Sequence, residues 1–332
     1  MKIAVIGAGR MGAIRVEDLR PLVEDIIIAN RTPATALELA IRFDATAVDL
    51  DSVLEHDVDA YVLATATDAH AGLLRELISR GKPVLCEKPI ALTLEENDAI
   101  IEQVAATGTH VQIGFQRRFD SGIAEAQRLI ATGALGTLYA MHMIAHDHQP
   151  STIEFLEGSG GIFRDLHVHD FDLIRWLTAS EIETVYATKA VRVHEQYSTY
   201  GDADTSLIHA VTAGGVQVSV SGTRHDPVGH DVHMEIFGSL DSVAPGVNAR
   251  TPLRGLDTGA ATSMNIDPYR GFVDRFRDAF RGETTAFTEL VAGTRDNPCP
   301  PDSAREALRV ALACEVSVEQ QRPVRVAEIV AR

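Results

Sequence analysis

Residues 2–19 constrain the fold more than any other stretch. Lys2–Ile6 is a short apolar run with strand character, Gly7-Ala8-Gly9-Arg10-Met11-Gly12 follows at once, and a helical pattern continues to about Leu19. A G-x-G-x-x-G turn between a strand and a helix has a specific physical use. Gly7 permits the tight turn, Gly9 lets a pyrophosphate approach the backbone, and Gly12 lets the helix lie against the strand. The helix N-terminus then offers free N–H groups and a positive dipole end to phosphate. The competing reading is a tight turn that binds nothing.

The alternation persists. Strands are expected over Asp25–Ala29, Asp59–Ala64, Val84–Cys86 and His110–Phe115, with helices over Ala69–Ser79 and from the capping box Thr93-Leu94-Glu95-Glu96 to about Ala106. Alternating strands and helices imply a parallel, doubly wound sheet. Ligands of such sheets bind at the carboxyl edge of the strands. Val84-Leu85-Cys86 ends there in Glu87-Lys88-Pro89. Proline cannot extend the ladder and biases Lys88 toward an extended conformation, so one ammonium group is delivered to the ligand edge. An ordinary surface lysine in a strand-to-helix loop is the bland alternative.

The second strand ends in Asn30-Arg31-Thr32-Pro33. An NAD site places an acid near this position to bond the ribose 2′-hydroxyl. Asn30, Arg31 and Thr32 carry no carboxylate to repel a 2′-phosphate and can donate to one, Arg31 with charge assistance. The stretch resembles the 2′-phosphate loop of NADP-dependent shikimate dehydrogenases. NADP is therefore expected over NAD. Thr32 before Pro33 would serve equally as a plain helix start.

The chain of 332 residues is long enough for two domains, and 45% hydrophobic with 23% charged residues is a globular balance. A net charge of −17 argues against a nucleic-acid partner. No apolar run reaches the length of a membrane span. The first residues enter a strand directly, so no signal peptide is expected. Cys86, Cys299 and Cys314 form neither a disulfide framework nor a zinc pattern, which suits a reducing cytoplasm.

After Asp120 the pattern changes. A helix near Ser121–Ile130 precedes long β-type runs, Thr137–Ala145, Ile182–Val193, Thr205–Thr212, Val216–Thr223 and Asp231–Phe237; helices near Tyr269–Arg281 and Ser303–Gln320 follow. Strict alternation in Val216–Ser221 gives one apolar and one small polar face, as in an antiparallel sheet covered on one side. The expected fold class is α/β: an N-terminal Rossmann doubly wound parallel sheet over 1–120, then a C-terminal α+β domain over 121–332 with a large, mostly antiparallel open sheet. The C-terminal helix would pack back on the first domain.

Gly160-Gly161 leads into a segment where Leu166, Leu173, Ile174 and Leu177 form an apolar stripe, and Asp165, His169 and Asp172 stand at i, i+4 and i+7 on another face. A carboxylate beside an imidazole fixes its tautomer, which suits a general base for an alcohol. His142, His146, His148 and His167-Val168-His169-Asp170 raise a second possibility, a zinc site. Strand alternation leaves the first three without a fourth ligand, so no metal is expected.

Taken together, Gly-x-Gly-x-x-Gly, Ala64-Thr65-Ala66-Thr67-Asp68-Ala69-His70, Gly81–Pro89 with its Glu87-Lys88-Pro89, and Gly114-Phe115-Gln116-Arg117-Arg118-Phe119-Asp120 resemble the glucose–fructose oxidoreductase/inositol dehydrogenase (Gfo/Idh/MocA) family. The resemblance is specific over the first 120 residues and looser afterwards, where Asp165-x-x-x-His169 after Gly-Gly is similar to the inositol 2-dehydrogenase branch. It implies hydride transfer between a secondary alcohol of a cyclic polyol or sugar and NAD(P). Lys88, Asp165 and His169 would be catalytic. Gly7, Gly9, Arg10, Met11, Gly12, Asn30, Arg31, Thr32, Thr65, His70, Glu87 and Lys88 would hold the cofactor, and Arg117, His146, Asp165, His169 and His230 the substrate. A homo-oligomer, dimer or tetramer, associating through the open sheet face is also implied. Two departures stand out: Ala66 replaces the usual proline and Asn30 the usual acid. A non-catalytic dinucleotide-sensing regulator of the same fold and a metal-dependent hydrolase are the alternatives.

Overall fold

The computed structural model describes residues 1–253 and 267–331, which form two compact units. The first comprises Met1–Phe119 together with Asp278–Glu306. Its sheet contains β1 (Lys2–Ile6), β2 (Asp25–Ala29), β3 (Thr46–Val48), β4 (Ala60–Leu63), β5 (Val84–Cys86) and β6 (Val111–Ile113). All pairs are parallel and the spatial order is β3-β2-β1-β4-β5-β6. The order reverses between β1 and β4, and the crevice outside their carboxyl ends is where such sheets take a dinucleotide.

The strands are short and almost wholly buried, as both faces are covered. Helices α1 (Arg10–Leu19), α2 (Pro33–Phe43), α3 (His70–Ser79) and α4 (Leu94–Thr107) supply the crossovers. Pro33 opens α2 at a position where its missing N–H costs nothing, and Thr93 caps α4 by accepting from the Glu96 backbone. The core joins Ile3, Val5, Ile26, Ile28, Val62 and Leu85 to Phe287 and Leu290, so the returning segment is part of it. The strand β3 is absent from the periodicity reading because three residues are too few to show a period of two.

The second unit comprises Asp120–Arg277 and Ala307–Val330. Its helices are α5 (Ser121–Ala131), α6 (Ile153–Ser159), α7 (Ile162–Asp165), α8 (Val168–Thr178) and α9 (Gln196–Thr199). Its seven-stranded sheet contains β7 (Leu138–His146), β8 (Ile182–Ala190), β9 (Thr205–Thr212), β10 (Gln217–Thr223), β11 (Asp231–Gly238), β12 (Ser242–Val243) and β13 (Val324–Arg325), in the order β12-β11-β7-β10-β9-β8-β13. Every pair is antiparallel except β7 with β10. That one parallel pair brings His146 beside Thr223, so the chain following both strands leaves from one sheet edge. One face buries Met141, Met143, Val218, Val220 and Ile236, while Tyr186 and Leu207 remain exposed. Near the chain's end stand α10 (Phe272–Arg275), α11 (Arg277–Val291) and α12 (Pro301–Gln320).

Candidate active site

In the first unit the expected residues gather at the carboxyl edge of the parallel sheet. Gly7 follows β1 with φ +105, and a Cβ there would collide with the Ala64 backbone after β4; a Cβ on Gly9 would meet nothing within 4 Å. The turn is therefore closed on its sheet side and open where a pyrophosphate would pass, beside the first N–H groups of α1. This fits a dinucleotide. Arg10 and Met11 open α1 at the same place.

Asn30 does not point its amide at a ligand. Its Oδ1 accepts from the Ala8 backbone at 3.1 Å and its Nδ2 donates to Thr32 O at 3.1 Å, tying the β2 turn to the glycine turn. Arg31 is exposed and lines a cleft of about 450 Å³ with Asn30, Asp49, Asp51, Ser52 and Glu55. Thr65 sits in the turn after β4 and donates weakly to Ala66 O at 3.3 Å.

His70 is buried at the start of α3, with Nδ1 2.7 Å from Pro89 O and Nε2 3.1 Å from Thr65 O. Burial pushes its pKa down, against the two carbonyls. A neutral imidazole donates to only one of them, and in either tautomer the ring packs the Thr65 turn against the Glu-Lys-Pro turn. Its role in these contacts is to shape the edge.

Lys88 stands one residue beyond Glu87 after β5, followed by the cis Lys88–Pro89 peptide. The Glu87 carboxylate turns inward: Oε1 accepts from Arg15 Nε at 2.7 Å. Arg15 lies on α1, is fully buried, and also bonds Glu283 at 2.5 Å and Thr284 at 3.2 Å. The turn that carries Lys88 is thus anchored to the helix that carries the glycine turn. Arg117 lies just after β6 and is buried, 4% exposed.

In the second unit, Asp165 closes α7 and His169 belongs to α8; both elements are separated by a turn at Leu166-His167, where a single helix was expected. The two N–H groups of Leu166 and His167 both bond Ile162 O. Asp165 Oδ2 accepts from Arg224 Nη1 at 2.8 Å. Arg224 follows β10, is 1% exposed, and also lies 3.6 Å from Asp202 and 3.8 Å from Asp147. Burial alone would lower its pKa, but the three carboxylates raise it overall. His169 is 8% exposed and His230 2%, the latter with Nδ1 3.5 Å from Asp147 Oδ1. Asp147, Asp202 and Arg224 were not among the expected residues. Asp147 adjoins His146 in sequence, whereas Arg224 has no local signal, because only the β7–β10 pairing brings it to this edge.

The other histidines have separate tasks. His142 bonds Ser219 at 2.5 Å, His146 bonds Ser221 at 3.0 Å and lies 3.5 Å from Asp226, and His148 faces Asp226 O at 2.9 Å. His167 is fully buried between Asp170 and Ser206, both at 2.7 Å. Among the described residues no group of three or more His, Cys, Asp or Glu is arranged to hold a metal ion. Nor is any helix among them long and apolar enough to cross a membrane.

A G-x-G-x-x-G turn at the switch point of a β3-β2-β1-β4-β5-β6 sheet defines a dinucleotide-binding oxidoreductase fold. Comparison with known proteins gives the family. Residues 1–115 match the model described as "Oxidoreductase family, NAD-binding Rossmann fold", and residues 123–244 match "GFO/IDH/MocA C-terminal domain". The chain belongs to the Gfo/Idh/MocA oxidoreductase family. It is 32% identical over 323 residues to the myo-inositol dehydrogenase Hyg17 of Streptomyces leeuwenhoekii, covering 96% of this chain and 97% of that one. A solved myo-inositol dehydrogenase from Corynebacterium glutamicum superposes with TM-score 0.89 at 30% identity, covering 98% of both chains. The Lactobacillus casei scyllo-inositol dehydrogenase, solved with NAD(H) and scyllo-inositol, gives TM-score 0.87 at 25% identity over 98% of this chain and 99% of that one.

Proposed function

We propose that this protein oxidises a secondary alcohol of a cyclic polyol of the inositol kind, using a nicotinamide dinucleotide. The observation that carries this reading is Lys88, delivered on an anchored turn to the carboxyl edge of a dinucleotide-binding sheet in a chain whose relatives are named inositol dehydrogenases. When bound, the nicotinamide supplies the hydride acceptor.

The chain's own residues would do the rest. His169 takes the hydroxyl proton at an imidazole nitrogen as the carbon–hydrogen bond breaks and the carbonyl forms. Lys88 donates to the oxygen on which charge develops, an interaction strongest in the transition state. Asp165, Arg117, His146 and His230 bind the remaining hydroxyls, and the glycine turn, Arg10, Met11, Thr65, Glu87 and His70 hold or shape the cofactor's seat.

We also propose that NADP is preferred, modestly. Arg31 and Thr32 would meet the 2′-phosphate, with Asn30 contributing by lacking a charge. Asp49, Asp51 and Glu55 line the same cleft and reduce the margin. Copies are proposed to associate through the sheet face bearing Tyr186 and Leu207, in a reducing cytoplasm that suits three buried free thiols. Light scattering of the purified protein tests the association: a monomer would end that part of the reading.

The reaction is tested by a panel of inositols, hexoses and sugar acids with NAD and NADP, read at the nicotinamide absorbance. Cyclic polyols should be oxidised. Lys88→Met should lower turnover by about two orders of magnitude, the scale for one lost transition-state donor, while cofactor affinity holds. Near-normal turnover in that variant, or no reduction with any polyol, would overturn the assignment.

A further inference from the structure

The short helix α7 is held at both ends by one charge network. At its start, Gly161 adopts φ +89 and the Ile162 N–H donates to Asp202 Oδ1 at 2.7 Å. At its end, Asp165 accepts from Arg224 at 2.8 Å. Arg224 faces both: it hydrogen-bonds Asp165, while its Nη2 lies 3.6 Å from Asp202 Oδ2, an ion pair without a hydrogen bond. The remaining member is Asp147, 3.8 Å from Arg224 and 3.5 Å from His230.

The network is itself pinned. Arg224 N–H donates to Asp204 O at 2.8 Å, and the Asp204 carboxylate accepts the backbone N–H groups of Arg192, Val193 and His194 at 2.6–3.0 Å. Arg224 is thereby tied to a segment whose own turn Asp204 fixes. Exposure falls inward in the same order as function would require: Asp147 is 26% exposed, Asp165 17%, Asp202 3% and Arg224 1%. The guanidinium stands behind the carboxylates, where it can aim them but is shielded from solvent.

We propose that Arg224 is a positioning residue of this enzyme: by hydrogen-bonding Asp165 and pairing at longer range with Asp202 it fixes α7, and through α7 the orientation of Asp165 and the entry into α8, which carries His169. The inference rests on the catalytic reading of Asp165 and His169. A guanidinium presents its donors in a rigid planar fork, so it can hold the Asp165 carboxylate at a set direction while its charge faces Asp202. A lysine offers the same charge without that geometry. A loosened carboxylate would still bind hydroxyls but would spend less time in the productive arrangement, which lowers kcat more than it raises KM.

The test is a double-mutant cycle between Arg224→Lys and Asp165→Asn, measured on the polyol substrate with thermal unfolding and NAD(P)H affinity recorded for every variant. Arg224→Lys should lower kcat roughly 30-fold, change the polyol KM less than about threefold and leave cofactor affinity unchanged. In the Asp165→Asn background the same substitution should cost less than about threefold, because the two residues act as one unit. Arg224→Gln, which keeps planar donors without charge, should fall between wild type and the lysine variant if geometry dominates. Equal losses in both backgrounds, or an unchanged kcat per folded enzyme with only a lowered melting temperature, would reduce Arg224 to a structural residue and overturn the proposal. Full activity in Asp165→Asn alone would instead sink the catalytic reading beneath it, a result distinguishable from the others.

Discussion

Among single residues, Arg15 decides how the lysine edge is built. Its guanidinium is fully buried with Glu283 and is 2.7 Å from Glu87, the neighbour of Lys88. Removing one partner from a buried charge network leaves the others uncompensated. Arg15→Met should therefore destabilise the protein by about 3–5 kcal/mol, and denaturant unfolding will measure it. A change under about 1 kcal/mol, the scale of an exposed pair, would mean that the network is not closed in solution. The lysine was legible in the sequence because a proline stops its strand; its anchor was not. Arg15 lies 72 residues from Glu87 and 268 from Glu283, and nothing local marks an arginine on the nucleotide helix as a buried partner.

Secondary-structure elements show the same division. Strand–turn–helix units carried by apolar runs and caps were readable: β1 and β2 occupy the expected residues, and Thr93 caps α4 by accepting from the Glu96 N–H, although the Glu96 carboxylate accepts from the Thr93 hydroxyl and not from its backbone N–H, so the expected capping box is only half made. The interruption between α7 and α8 was not readable. Its apolar stripe continues across the turn, and the partners that meet the two ends of α7, Asp202 and Arg224, are distant in sequence. The β2–α2 turn carries the cofactor prediction. Asn30→Asp keeps an Oδ1 acceptor for the Ala8 N–H, so the turn should survive, while the new carboxylate repels a 2′-phosphate and accepts from a ribose hydroxyl. Combined with Arg31→Leu, it should move the NAD/NADP ratio of kcat/KM toward NAD by at least tenfold, about 1.4 kcal/mol. If the ratio does not move, the 2′-position is read elsewhere.

For the molecule as a whole, the unreadable feature is the return of Asp278–Glu306 to the first unit. Arg15, Glu87, Glu283 and Thr284 join that segment to the nucleotide-binding residues, and the join has a pH signature. Burial pushes the Glu283 carboxyl up to about 7; Arg15 pulls the other way and the Glu87 charge adds to the rise. Burial opposes the Arg15 charge too, yet Glu283 and Glu87 raise its pKa overall. The two directions conflict for a simple ion pair. They agree if one guanidinium serves two carboxylates: Arg15 stays charged while Glu283 keeps its proton into the neutral range. The unfolded glutamate titrates near 4.5. Between about 4.5 and 7 the folded protein thus binds more protons than the unfolded chain, so this group's stabilisation is full at low pH and is lost as pH rises toward and through 7. Glu283→Gln preserves volume and an acceptor for Arg15 but cannot titrate. Relative to that variant, the wild type should lose stability from pH 5 to pH 7, by at most about 1.4 kcal/mol per pH unit. Denaturant unfolding of both proteins across that range measures the difference. Parallel curves would mean that Glu283 is ionised throughout and that the buried proton lies elsewhere.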